Sequence, residues 1–169
     1  ALMEEAINKM AQARENNEHV DSYIFFVGRE NFPKELAGVS SYSLNKAQVI
    51  RSGKNGVIVS AGPSLFKALS VAEELDVSVI NNPCVNNPDV ETISAELKSS
   101  GKLLTIEDHQ VICGLGSQVI HTLIQNSVKF ESRSLGVSGK FGQSAYKADE
   151  LYAKHGLDEV GIIEAFKSF

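Results

Sequence analysis

Residues 57–81 read VIVSAGPSLFKALSVAEELDVSVIN. Two short apolar runs, 57–61 and 77–81, flank a segment in which Leu65, Ala68, Leu69, Ala72 and Leu75 recur at intervals of three and four. That spacing puts the five side chains on one face of a helix. Pro63 opens the segment, where a proline loses nothing because the first helical N–H groups have no partner. A strand, a helix and a second strand in this order predict a parallel pair with the helix lying across it. Runs that are apolar throughout, rather than alternating, suit strands buried on both faces.

The pattern continues downstream with a helix from about Val90 to Ser99, a strand at 102–106, a helix from about Leu115 to Gln125, a strand at 129–136, and helices near Ala145–Lys154 and Asp158–Lys167. Upstream, KAQVIRSGKNGVIVSAG reads as strands at 47–51 and 57–61 joined by a tight turn around Ser52, Asn55 and Gly56, which predicts an antiparallel hairpin. The expected fold is therefore a three-layer αβα domain on a mixed sheet of about five strands, mostly parallel with the first strand antiparallel.

Residues 1–45 do not continue that alternation. A helix over 2–15 is followed by YIFFV at 23–27, an aromatic and β-branched run with the character of a buried strand, closed by Gly28. From Glu30 to Leu44 no period is visible, and Pro33, Gly38 and several serines mark a long surface connection. These elements look like the end of a preceding domain. The sequence starts without a methionine, and the expectation is a processed or truncated start.

The 169 residues carry a formal net charge of −5 and no cluster of Lys and Arg that would serve as a nucleic-acid footprint. No apolar run approaches the roughly 20 residues of a membrane span, and the acidic first residues do not resemble a secretory signal, so a cytoplasmic setting is expected. Cys84 and Cys113 form neither a CxxC pair nor a metal spacing and read as small buried hydrophobes.

Four short patterns could carry chemistry. Gly53-Lys54-Asn55-Gly56 joins two strands with no helix to follow, so it is a turn and not a phosphate loop. Cys113-Gly114-Leu115-Gly116 does precede a helix, so its N–H groups could meet an anion, although a tight strand-to-helix entry accounts for the same glycines. Glu107-Asp108-His109 stands at the carboxyl end of a strand, the edge where ligands gather in parallel sheets. It is either a general-base arrangement or a hydrogen-bonded loop and subunit-contact cluster. His19, His121 and His155 are scattered and receive no role. Arg29 follows the 23–27 run and offers a fork of donors matched to phosphate, or an ion pair with Glu30.

With these residues in view, a family resemblance becomes visible. YIFFVGRENFP resembles the stretch of transketolases in which a strand runs into a Ser-Arg-x-Asn type motif. KAQVIRSGKNGVIVSAGPSLFKALSVAEEL looks like the first elements of their carboxy-terminal domain, GKLLTIEDHQVICGLGSQV their Thr-x-Glu-Asp-His segment with its glycine-bounded helix entry, and FGQSAYKADELYAKHGLDEVGIIEAF their closing run. The resemblance covers nearly the whole chain in order. It implies the end of a pyrimidine-binding domain at 1–30, a linker at 31–45 and a transketolase carboxy-terminal domain at 46–169.

Transketolases move a two-carbon ketol unit between sugar phosphates in the pentose phosphate pathway, with thiamine diphosphate and Mg held by two earlier domains. The resemblance thus implies a piece that is inactive and binds no cofactor or metal alone. It would supply homodimer architecture, join the amino-terminal domains of the same enzyme, and place Arg29 against the substrate's phosphate. Two departures stand out: NNPCVNNPD at 81–89 keeps the family's aspartate as Asp89 but has Asn86 at its lysine position, and Ile112-Cys113-Gly114 replaces a Glu-Gly-Gly turn. The alternatives are a deoxyxylulose-phosphate synthase, against which Glu107-Asp108-His109 weighs, and a non-catalytic interaction or regulatory domain.

Overall fold

The structure is a computed structural model that describes residues 1–27 and 41–169. Five strands form one sheet: β1 (Gln48–Arg51), β2 (Val57–Ser60), β3 (Ser78–Asn81), β4 (Lys102–Gln110) and β5 (Glu131–Val137). Their order across the sheet is β1-β3-β2-β4-β5, with β2 parallel to β3 and β4, β4 parallel to β5, and β1 antiparallel to β3. Among the described residues six helices accompany them: α1 (Leu2–Glu15), α2 (Ser64–Leu75), α3 (Val90–Leu97), α4 (Leu115–Gln125), α5 (Ala148–Lys154) and α6 (Glu159–Lys167). The three-layer mixed sheet expected from the alternation is present.

Successive residues of a strand point to opposite faces, and the core divides accordingly. Ile58, Val79, Leu104 and Ile106 face α2 and α6, meeting Leu65, Ala68, Val71, Ala72, Leu75, Ile162 and Phe166. Val57, Val59, Ile80 and Leu103 face α3 and α4, meeting Ile93, Leu97, Leu115, Val119 and Leu123. This is why 57–59 is apolar without alternation: each of its side chains reaches a helix layer, and all three are fully buried.

The hairpin expectation fails in its pairing. β1 is antiparallel, but its neighbour is β3, which lies between it and β2. Residues 52–56 arch over the start of β3 instead of turning back on β1. The amides of Lys54 and Asn55 both donate to the Asp76 carbonyl (2.8 and 2.9 Å), and the Gly53 amide donates to Ser78 Oγ (2.9 Å). A side chain at Gly53 would collide with the Asp76–Val77 backbone, so the arch needs glycine there. Five intervening residues suffice to cross one strand, since spanning two spacings requires only about 10 Å. Two-residue turn chemistry, not loop length, is what specifies a hairpin.

The reading of 23–27 as a buried strand is also corrected. The run is unpaired, and Ile24, Phe26 and Val27 are 80%, 92% and 71% exposed. α1 formed as expected and is tied to the start of the sheet domain by Glu5. Its carboxylate accepts from the Leu44 amide (2.8 Å) and the Ser43 hydroxyl (3.3 Å). The Leu44 amide leads in holding this carboxyl below its usual range. No helix among the described residues is long and apolar enough to cross a membrane.

Candidate functional site

In an open sheet whose strand order reverses, ligands enter where the carboxyl ends of the diverging strands leave a crevice. Here that point lies between β2 and β4. It is closed by protein: the Ser60 hydroxyl donates to the Ile106 carbonyl (2.8 Å), the Ser64 hydroxyl lies 2.8 Å from the Ser60 hydroxyl, and both serines are fully buried. The opening has moved one strand along, to the carboxyl ends of β4 and β5.

Glu107, Asp108 and His109 stand there, and the structure separates their roles. Glu107 is 5% exposed and turned towards α4, where its carboxylate accepts from the amides of Leu115 (2.8 Å) and Gly116 (3.0 Å). It thereby supplies the negative charge that the positive end of the helix favours. Close approaches around this entry account for its glycines. A Cβ on Gly114 would overlap the Glu107 carboxylate, one on Gly116 would overlap Thr105 Oγ1, and one on Gly136 would crowd Val111 and the His109 carbonyl. The tight-entry reading of 113–116 thus holds, and the amides an incoming anion would need are already engaged.

Asp108 and His109 are exposed. Asp108 lies within 3.5 Å of the Tyr152 hydroxyl on α5. His109 Nδ1 sits 3.4 Å from the Gln110 carbonyl. Gln110 clamps the connection after β5, accepting from the Gly139 amide (3.0 Å) and donating to the Lys140 carbonyl (3.1 Å). The result is a cleft of about 380 Å³ into which His155, given no role from sequence, also faces. It went unseen because His109 and His155 are 46 positions apart and no motif links them. Behind the cleft, Lys67 joins α2 to α5 and α6 through Asp149 (3.0 Å) and Glu159 (3.5 Å). The Asp149 carboxylate leads in raising the Lys67 ammonium's pKa.

The 81–89 loop is a second ordered feature. Asp89, 6% exposed, caps α3 by accepting from Thr92 N–H (3.3 Å) and Thr92 Oγ1 (2.8 Å), and also accepts from the Ala47 amide (3.1 Å) at the entry to β1. Asn82 holds the loop from inside, accepting from the Asp89 amide (3.0 Å) and donating to the Cys84 carbonyl (2.9 Å). Burial alone would push the Asp89 carboxyl up, but the Ala47 and Thr92 donors with Lys46 hold it below its ordinary value. Asp89 is a structural pin.

The cysteines correct another expectation: Cys84 is only half-buried and Cys113 is exposed, in a left-handed conformation with φ of 61°. Arg29 lies outside the described residues. Among the described residues no group of three His, Cys, Asp or Glu side chains converges as a metal site would require. At the β4–α4 entry the amides of Leu115 and Gly116 are taken by Glu107 and are not open to a diphosphate. That entry is therefore not where a diphosphate would sit.

A mixed five-stranded sheet with an acid-capped β4–α4 junction and an arch over β3 defines a three-layer α/β domain. The chain belongs to the family described as transketolase, C-terminal domain, which matches residues 45–162. It is 32% identical over 136 residues to a 1-deoxy-D-xylulose-5-phosphate synthase of Histophilus somni, covering 80% of this chain and 22% of that protein. It is 30% identical over 125 residues to a protein of Methanocaldococcus jannaschii described as a transketolase C-terminal section, covering 73% of this chain and 39% of that one. Among solved structures, a split-gene transketolase in an inactive β4 tetramer superposes with a TM-score of 0.72 at 25% identity, over 83% of this chain and 46% of that one. The chain spans between about a fifth and two-fifths of the length of the curated relatives it matches.

Proposed function

We propose that this chain is the carboxy-terminal part of a thiamine-diphosphate- and Mg-dependent transketolase, moving a two-carbon ketol unit between sugar phosphates. In this reading the part alone is inactive. Residues 46–169 form the carboxy-terminal domain, 31–45 the linker, and 1–30 complete a preceding pyrimidine-binding domain. The observation that carries the reading is the family match over 45–162 joined to an unpaired apolar run at 23–27. Three side chains this exposed and this apolar are stabilised by a sheet of the amino-terminal domains, whether on the same polypeptide or on a separate one.

Within that assembly the described residues have positioning roles. Glu107 fixes the β4–α4 junction, Asp89 fixes the entry to β1, and Glu5 fixes the angle at which residues 1–27 leave the domain. Bound thiamine diphosphate would supply the carbanion chemistry from the amino-terminal domains. The match to a 1-deoxy-D-xylulose-5-phosphate synthase supports a second reading, in which the same architecture serves that reaction.

The test is to join this chain with its amino-terminal counterpart, supply thiamine diphosphate and Mg, and analyse products from xylulose 5-phosphate with an acceptor sugar phosphate. Ketol transfer that depends on both parts is expected. Formation of deoxyxylulose 5-phosphate when pyruvate replaces the ketose phosphate as donor, with no ketol transfer, would select the second reading, and ketol transfer by this chain alone would overturn the inactive-part claim. In the joined enzyme Arg29→Ala is expected to lower kcat/KM for phosphorylated donors by about one to two orders of magnitude, the worth of one charge-assisted hydrogen bond. An unchanged KM would reduce Arg29 to a structural residue.

A further inference from the structure

The cleft at the carboxyl ends of β4 and β5 has a composition that the architectural role does not require. Asp108 and His109 come from β4, Lys140 and Phe141 from the connection after β5, Tyr152 from α5 and His155 from the residue that ends it. Three of these six are cations or can become so, and one is an acid. That acid is partly engaged, with the Tyr152 hydroxyl within 3.5 Å. The Lys140 ammonium, by contrast, has no carboxylate within ion-pair distance among the described residues. Lys67 lies over the Tyr152 ring, is held there by Asp149 and Glu159, and does not line the cleft.

The cleft wall is also fixed. Both ends of the Gln110 amide are bonded to the 139–140 backbone, so the connection carrying Lys140 and Phe141 cannot swing away without losing two hydrogen bonds. About 380 Å³ lies at the small end of the range of ligand pockets, room for a molecule of a few carbons and one charged group. Val137, Leu151 and Leu157 give the floor an apolar part.

We propose that this cleft binds a small phosphomonoester, with its phosphate against Lys140, His109 and His155 and its organic part over the apolar floor. A phosphomonoester carries close to two negative charges at neutral pH and three strong acceptor oxygens, which suits one ammonium and two imidazole N–H donors better than a carboxylate would. A neutral histidine still donates one N–H, so binding does not require either ring to be protonated. The inference is independent of which transferase reaction the assembled enzyme performs.

The experiment is a titration of the 169-residue chain with glycerol 3-phosphate, followed by the ring C2–H proton resonances of its four histidines. His19 and His121 lie off the cleft and act as internal controls. Saturable shifts of the His109 and His155 signals alone are expected, at millimolar ligand or below. The double variant Lys140→Gln/His155→Gln should weaken this at least tenfold while leaving the His19 and His121 signals unchanged, which shows that the fold persists. Glycerol should give no shift, and inorganic phosphate a weaker one. Glycerate binding as tightly as glycerol 3-phosphate would overturn the assignment of phosphate chemistry. The absence of a saturable shift, or one undiminished in the double variant, would overturn the site itself.

Discussion

Two runs of almost the same character meet opposite fates in this molecule. VIVS at 57–60 is fully buried in the centre of the sheet, while YIFFV at 23–27 lies unpaired with Phe26 almost wholly exposed. Both are rich in residues that favour strands. The difference is in what surrounds them: β2 has β3 and β4 as hydrogen-bonding neighbours and a helix layer on each face, whereas 23–27 has neither. Strand propensity describes how a segment pairs once a sheet is offered; it does not create the sheet.

The comparison can be broken or sharpened by substitution. The largest effect belongs to the centre: Ile58→Ala should cost about 2–5 kcal/mol, measured by denaturant unfolding, because it empties a site enclosed by α2 and α6. A cost below about 1 kcal/mol would mean that the inner run is not the core it is taken to be.

Next comes the β4–α4 junction. Glu107→Ala strips two buried amides of their acceptor and should destabilise by about 3 kcal/mol, lowering Tm by roughly 6–12 °C for a chain of this size. A nearly unchanged Tm would show that water replaces the carboxylate without loss.

Asp89→Ala should cost about 1–2 kcal/mol, as the loss of a helix cap does. Because the folded carboxyl titrates below its unfolded value, its contribution is complete above about pH 4 and is lost as pH falls through the lower, folded pKa. Unfolding curves of Asp89→Ala and the parent should therefore converge in acid. A gap that persists in acid below the folded pKa would assign the effect to packing rather than to the charge.

The smallest effect is expected at the outer run. Phe26→Ser should change the chain's own stability by no more than about 0.5 kcal/mol, as at other surface positions. It should nevertheless abolish association with the proposed amino-terminal counterpart, read by analytical ultracentrifugation. A large loss of stability in the isolated chain would show that the run is packed after all, and the contrast with Ile58 would disappear.

The contrast also marks how much was legible beforehand. Helical spacing located α2 at 64–75 against an expected 63–75, and α4 at 115–125 as expected, since periodicity is a local property. Strand order was not legible: nothing in residues 47–61 distinguishes a turn back onto β1 from an arch over β3, because the choice depends on Ser78 and the Asp76 carbonyl, some twenty residues away. At the candidate site, Glu107-Asp108-His109 was recognisable as a cluster, yet its members proved to face different tasks. Alternation along a strand sends Glu107 to the helix layer and its neighbour towards α5. His155 was invisible as a cleft residue for the same reason that the arch was, namely distance along the chain.

The sequence by itself determined where the helices and strands of the sheet domain fall to within a few residues, that the central strands would be buried on both faces, and that the chain resembles the transketolase carboxy-terminal domain. Those properties reside in side-chain type and spacing within about twenty residues. Only the tertiary structure decided that β3 separates β1 from β2, that Glu107 caps a helix, and that His109 and His155 share a cleft. Each depends on groups brought together by folding, and local spacing carries no record of such long-range pairings.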